Sequence, residues 1–233
     1  MKTRILVSDQ SYFGLEPLIL RRGAERTIER AAGRAPEGAR VSVQTLREDF
    51  ELDAAAAGRL LQAFVANQLL EADGSGGEYR TTGRFLEFAK ARVVPPLSRA
   101  QAKQLLEDAC QLAALLNVQE TANPLMIERM AVSGSYVSTA DRIGKLVLWP
   151  VVTRRDRRAR RPLMTDAEGA HQIGVALRDL SPYVSVRVVT DAASVDRPFS
   201  VPFHADSNAL APSPPNATLW ERAASFGRWS SRR

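Results

Sequence analysis

Cysteine and histidine are almost absent from this sequence, and with them much of the usual chemistry of active sites. Cys110 is the only cysteine, which excludes an intrachain disulfide and a cluster of thiolate metal ligands. The only histidines, His171 and His204, are far apart and have no acid or cysteine at ligand spacing. The sequence also has no serine–histidine–aspartate arrangement, no Walker loop and no Rossmann-type glycine pattern. We therefore expect neither a bound metal nor an organic cofactor.

Long hydrophobic runs are lacking too. No stretch approaches the roughly 18 apolar residues that a membrane-spanning helix needs, and the apolar run after Met1 is too short for a signal peptide. The 233 residues are 45% hydrophobic and 25% charged, which is typical of a soluble globular protein. These features predict a cytoplasmic protein of bacterial type with one large or two small domains and no membrane partner.

The net charge of +6 is concentrated in one place. Residues 154–161 hold six arginines in eight positions, after a predicted strand and before Pro162, so we expect a loop or a hairpin tip. Such a run can be a solvated loop, a patch for nucleic-acid phosphates, or a surface for an acidic protein. No aromatic residue interrupts it, which argues against base stacking on single strands. The arginines are Arg154, Arg155, Arg157, Arg158, Arg160 and Arg161.

Hydrophobic spacing and turn residues predict a regular series of elements in the first 94 residues. Asp53 is placed to cap a long helix, and Gly74, Gly76 and Gly77 mark a hairpin tip. The predicted elements are a strand at 4–7, helices at 15–32, 44–50 and 54–71, a hairpin tip at 73–77, a strand at 79–82 and a helix at 83–92.

Helix, turn, longer helix and glycine-tipped hairpin together resemble a winged helix-turn-helix domain. The resemblance implies that helix 54–71 enters the major groove of DNA, with Arg59 and Gln62 near base edges and Arg80 and Arg84 on phosphates. DNA is thus a more probable partner than RNA. The helix begins with four alanines and Gly58, whereas direct readout usually needs several Arg, Asn or Gln side chains. A module for protein–protein contact is the alternative.

The pattern of helix caps, apolar runs and turns in residues 95–190 predicts a second domain. After the stiff link 93–97, a capping box opens a helix at Ser98, and a second capping box opens another at Thr165. The predicted order is a helix at 98–117, a strand at 127–133, a turn at Gly134-Ser135, a strand at 145–152, a helix at 166–180 and a strand at 183–189. This order and the Gly-Ser turn resemble the core of the DNA polymerase β superfamily of nucleotidyltransferases.

That resemblance implies a Gly-Ser pair that anchors a triphosphate and carboxylates that hold two magnesium ions. The carboxylates would stand at positions 145 and 147 and on strand 183–189, where the sequence has Lys145, Val147, Ser185 and Arg187. None of these is a carboxylate, whereas magnesium is usually held by one or two carboxylates together with phosphate. The expectation is a fold retained without its metal site, in which Gly134, Ser135, Lys145 and Arg187 form a pocket for an anion. A rearranged metal site using Asp141 and Asp191 is the alternative.

The last segment, 191–233, differs in composition. Residues 191–217 contain five prolines and little periodicity, which predicts an extended linker. Trp220, Phe226 and Trp229 lie in a stretch that could form a short amphipathic helix. We expect these aromatic residues to anchor a protein partner or a sister subunit, or to fold back onto the chain itself.

The sequence therefore predicts an α/β (α+β) protein with three parts: a winged-helix-like domain at 1–94, a small mixed-sheet nucleotidyltransferase-like domain at 95–190, and an extended tail at 191–233. The favoured function is a non-catalytic nucleic-acid-binding or regulatory adaptor. The alternatives are an active nucleotidyltransferase with displaced metal ligands and a structural subunit of a larger assembly.

Overall fold

The computed structural model describes residues 5–30, 40–74, 77–119, 123–155 and 164–205. The chain divides into two units, Met1–Pro96 and Leu97–Arg233. Helices and strands are mixed in both units, as the α/β (α+β) prediction requires. No described helix is both long enough and apolar enough to cross a membrane.

The N-terminal unit consists of short helices and short strands. Its described elements are β1 (Ile5–Val7), α1 (Pro17–Arg30), β2 (Arg40–Val41), α2 (Val43–Asp49), α3 (Ala54–Ala66), β3 (Leu70–Ala72), β4 (Tyr79–Thr81), α4 (Gly83–Ala89) and β5 (Arg92–Val94). Strands β2, β4 and β3 form an antiparallel sheet in that order, and β1 pairs with β5 in parallel. The core of the unit is aromatic, because the ring of Phe64 contacts those of Phe13, Phe50, Phe85 and Phe88.

Side-chain caps fix where several helices begin. Asp53 accepts a hydrogen bond from the Ala56 amide at 2.7 Å and so caps α3. A complete capping box between Thr165 and Glu168 opens the helix after it, and Ser98 exchanges the same pair of bonds with Gln101. These starts confirm the sequence prediction, since a cap satisfies backbone amides that have no partner within the helix.

The predicted end of the long helix at residue 71 is wrong. Helix α3 ends at Ala66, and Gln68 has a left-handed φ of 58°. The chain then reverses, so that Leu69 and Leu70 are buried and Leu70 pairs with Thr81 in the sheet. Leu69 happens to continue the apolar spacing of the helix, and periodicity alone cannot distinguish the two arrangements.

The C-terminal unit is a mixed sheet with two helices on one face. Its described elements are β6 (Leu97–Ser98), α5 (Arg99–Gln119), β7 (Leu125–Ser133), β8 (Arg142–Ile143), β9 (Leu146–Arg154), α6 (Asp166–Arg178), β10 (Val184–Val186) and β11 (Phe199–His204), with a 3-10 helix at Gly134–Val137 and another at Ala192–Ser194. The main sheet has the order β10-β9-β7-β11. Strand β10 is parallel to β9, β9 is antiparallel to β7, and β7 is antiparallel to β11.

Strand β11 lies within residues 191–217, where the sequence predicted an extended linker. That prediction is wrong over Phe199–His204, which pair with Arg129–Ser133 of β7. The alternation that marks a strand is interrupted here by Pro202 and by a register shift between Ser200 and Phe203. Both features are typical of an edge strand.

Alternation along the strands gives the sheet two different faces. The larger core lies between the sheet and α5 and α6, and it includes Met130, Val132, Leu146, Leu148, Val184, Ile173 and Leu177. The other face has a smaller apolar cluster of Ala131, Trp149, Val151 and Val195. The residues between the core positions of β7, β9 and β10 therefore lie on this second face.

Candidate anion site and nucleic-acid surface

The second sheet face, here called the Trp149 face, is formed by Ser133, Val147, Trp149, Ser185 and Arg187. The strand register sets Ser185 of β10 beside Val147 of β9, and Val147 beside Ser133 of β7. Ser133 and Ser185 are both buried. Two of the positions at which the sequence looked for carboxylates thus lie side by side, and they are occupied by Val147 and the buried Ser185.

Gly134 begins the 3-10 helix directly after β7, and its φ is 80°. A Cβ at this position would lie 3.8 Å from Cγ2 of Val147, which is an ordinary contact. The glycine is therefore required by the left-handed backbone and not by lack of space. It places the half-buried Ser135 at the end of the Trp149 face, near the start of β9.

Lys145 immediately precedes β9, two residues before Val147. Although much of the side chain is exposed, desolvation of the ammonium group lowers its pKa, and the positive charge of Arg187 lowers it further. Two cations thus influence each other on a surface where carboxylates were expected. A negatively charged ligand would relieve this repulsion.

The lowered pKa of Lys145 can be measured directly, because the chain has only four lysines. In a carbon-13 NMR titration of lysine side chains, Lys145 is expected to have a pKa below the ordinary lysine value. Arg187→Gln should raise its pKa only in part, since desolvation is the larger cause. Lys145→Arg assigns the signal, and a pKa of Lys145 at or above the ordinary lysine value would contradict the environment described above.

Arg187 is already engaged within the protein. Its guanidinium group lies over the indole of Trp149, with Cζ 5.0 Å from the ring centroid, and Nη1 donates to Oδ2 of Asp196 at 3.1 Å. The Trp149 Nε1–H donates in turn to Oγ of Ser133 at 2.8 Å. Asp196 therefore offsets part of the charge of Arg187.

The loop after β10 covers part of the Trp149 face. Val195 is buried against Ala131, Trp149 and Val151. The same loop contains Asp191, whose carboxylate accepts a hydrogen bond from the Ala193 amide at 2.9 Å. Asp191 thus fixes a turn.

In the described part of the chain, no group of three or more His, Cys, Asp or Glu residues could hold a metal ion.

Arg99 has a role that the sequence did not indicate. From the first turn of α5 its guanidinium group donates to the carbonyl oxygens of Tyr136 and Ala140, each at 3.1 Å, and to that of Ser138. The loop that follows Gly134 is therefore held to α5 by one side chain. Nothing in the sequence distinguishes Arg99 from other exposed arginines, because these contacts span about 40 residues.

On the N-terminal unit, the predicted base-reading residues lie where the sequence placed them. Arg59 and Gln62 are three positions apart on α3, both are exposed, and neither makes a hydrogen bond or ion pair with another described residue. The rest of the exposed side of α3 consists mainly of small residues such as Ala55 and Ala66. The side chains of Arg59 and Gln62 are thus available to a ligand.

The predicted phosphate contacts Arg80 and Arg84 already have partners. Arg80 Nη2 lies 2.5 Å from Oδ1 of Asp73, and this hydrogen bond holds the pKa of the Asp73 carboxyl below its usual value. Arg84 donates to the side chain of Gln68. A phosphate would therefore compete with Asp73 for Arg80.

Of the arginine run, the structure describes Arg154 and Arg155. Arg155 donates to the carbonyl oxygens of Leu116 and Asn117 in the last turn of α5, at 3.3 and 2.8 Å, and to that of Leu125 at 3.2 Å. Arg154 pairs with Asp166 at 2.8 Å. Both arginines thus serve the fold, with Arg155 satisfying helix carbonyls that lack partners. Arg157, Arg158, Arg160 and Arg161, and the aromatic residues Trp220, Phe226 and Trp229, lie outside the described residues.

No protein-family model matches the chain, and no curated protein or solved structure matches it either. The functional argument therefore depends on the residues and their geometry.

Proposed function

We propose that this protein is a non-catalytic adaptor that binds nucleic acid through a winged-helix-like N-terminal unit. In this proposal the C-terminal unit is a nucleotidyltransferase-like scaffold without a metal site. The observation that carries the proposal is the content of the Trp149 face, where Lys145, Val147 and Arg187 occupy positions at which a two-metal enzyme needs carboxylates.

The arrangement of the N-terminal unit supports the nucleic-acid half of the proposal. Helix α2, a short turn and α3 are followed by the hairpin β3–β4, and β2 completes the antiparallel sheet. A winged helix has this order of elements, with the second helix of the pair in the major groove. The free side chains of Arg59 and Gln62 lie on that helix.

The contacts on the Trp149 face support the non-catalytic half. Trp149 and Ser133 bond to each other, Arg187 bonds to Asp196, and Val195 is packed into the small cluster beside them. The magnesium ions of a two-metal enzyme would need carboxylate oxygens beside the triphosphate. The face offers instead one half-exposed lysine, which suits an anion without metal.

Binding to duplex DNA tests the proposal, with fluorescence anisotropy over a series of salt concentrations as the measurement. We expect binding that weakens steeply with salt, and Arg59→Ala should weaken it about fivefold or more at a fixed salt concentration. Arg92→Ala on β5, also exposed, is the matched control and should bind like the wild type. Absence of binding at low salt, or a slope near zero, would refute the nucleic-acid function.

The rival, an active nucleotidyltransferase with displaced ligands, requires its own assay. Incubation with nucleoside triphosphates and magnesium is expected to give no transfer product. Transfer that is lost in Asp141→Ala would establish the enzyme and remove the adaptor proposal.

A bound inorganic phosphate should raise the pKa of Lys145 by favouring its charged form, so the lysine titration also tests the anion site.

A further inference from the structure

The two edges of the main sheet in the C-terminal unit differ in a way that points to self-association. At one edge, β11 contains Pro202, which has no amide hydrogen, and an irregular register between Ser200 and Phe203. Proline and irregularity are the usual means by which an edge strand avoids pairing with another chain. At the opposite edge, residues 184–189 contain no proline, no glycine and no lysine.

The backbone of residues 184–189 has amide and carbonyl groups that can pair with another strand. Toward β9, the amides of Arg187 and Val189 donate to carbonyl oxygens at 3.0 Å each, and the Val189 carbonyl accepts from the Val152 amide at 2.8 Å. Because backbone groups alternate along a strand, the amides and carbonyls of Val186 and Val188 point away from β9. Neither amide has a hydrogen-bond partner among the described residues.

We propose that this edge pairs antiparallel with the same edge of a second copy of the chain, about a two-fold axis at Val186. The two Val186 residues then exchange N–H···O=C bonds. Each Val188 amide reaches the Val184 carbonyl of the other copy. The Val184 amide needs no new partner, because it already donates to the Ser181 carbonyl at 3.0 Å. An isologous contact of this kind is self-complementary.

Side chains agree with this register on both faces. On the helix-covered face, Val186 meets Val186 and the buried Val184 meets the half-buried Val188, so these valines continue the larger core across the junction. On the Trp149 face, Arg187 lies opposite Ser185 of the second copy. A register centred on Arg187 would set two guanidinium groups opposite each other, which is unfavourable. The backbone hydrogen bonds and the repulsion between arginines therefore both favour the register centred on Val186.

Val186→Pro tests the pairing without breaking the fold, since the lost amide hydrogen points away from β9 and proline is tolerated at such edge positions. Val186→Thr, which keeps the amide and the branched shape, is the control. By sedimentation equilibrium the wild type and Val186→Thr should reach twice the chain mass of 25.6 kDa, and Val186→Pro should stay at the chain mass. A wild type that is monomeric at all concentrations, or a dimeric Val186→Pro, would overturn the proposal.

A cross-linking variant covers the case in which Val186→Pro fails to fold. In a hydrogen-bonded antiparallel pair the Cα atoms are about 5.5 Å apart, which suits a disulfide. Val186→Cys is therefore expected to form a covalent dimer on oxidation, whereas Val201→Cys on the opposite edge should not. The double variant Trp220→Ala/Trp229→Ala should remain dimeric. If that variant is monomeric and Val186→Cys does not cross-link, the tail forms the contact and the proposal is wrong.

Discussion

Gly23→Ala is expected to destabilise the N-terminal unit by about 2 kcal/mol, although alanine is the better helix former. Gly23 lies in the middle of α1, and a Cβ there would be 2.3 to 2.5 Å from three ring carbons of Phe50. The ring cannot retreat, because Phe50 is 1% exposed and packs edge-on against Phe64 with the centroids 5.8 Å apart. The helix must therefore move outward and lose contacts along its length.

Gly58→Ala is the matched control for this substitution. Gly58 also lies inside a helix, α3, but a Cβ there would meet nothing within 4 Å. Alanine at this position should stabilise the unit by about 0.5 to 1 kcal/mol. Hydrogen exchange of the amides of α1 and α3 measures both changes in the full chain. Equal effects of the two substitutions would show that the contact between α1 and Phe50 is looser than described.

The parts of the fold that the sequence predicts well are the ones with local causes. Helix starts at Asp53, Ser98 and Thr165 depend on a side chain and an amide three residues away, so the pattern alone identifies them. Strand β11 depends on β7, which lies about 70 residues earlier, and its own residues alternate poorly around Pro202. The sequence had no local signal from which to predict that pairing.

The same distinction applies to the candidate site. Alternation along a strand predicts that Val147 and Trp149 share one face without any knowledge of the fold, and the structure places Val147 beside Ser133 and Trp149 beside Ala131. The partners of the arginines are different. Arg155 reaches Asn117, 38 residues away, and nothing in the run of arginines distinguishes this residue from its neighbours. Sequence reasoning predicted the charge of such residues but not their internal partners.

The second large effect is expected at Asp49, the most deeply buried carboxylate of the N-terminal unit in the described residues. Its side chain is 2% exposed. Oδ1 lies 2.5 Å from Nη2 of Arg30, and Oδ2 accepts from the hydroxyl of Thr27 at 2.9 Å. These bonds join α1 to the end of α2. Asp49→Asn keeps the volume but removes the negative charge that faces Arg30. Its new amide group can donate to Oγ of Thr27, because that hydroxyl can accept while it donates to the Gly23 carbonyl at 3.0 Å.

We expect Asp49→Asn to cost about 1 to 2 kcal/mol, because the hydrogen bond between Arg30 and a buried carboxylate becomes a bond to a neutral amide oxygen. Glu48→Gln is a sharp control, since Glu48 bonds to the same Arg30 at 2.8 Å but its side chain is 49% exposed. Water can replace that bond, so little change in stability is expected. Hydrogen exchange of α1 and α2 provides the measurement. If the two substitutions cost the same, the burial of Asp49 does not strengthen its bonds, and α1 and α2 are held together by their apolar contacts alone.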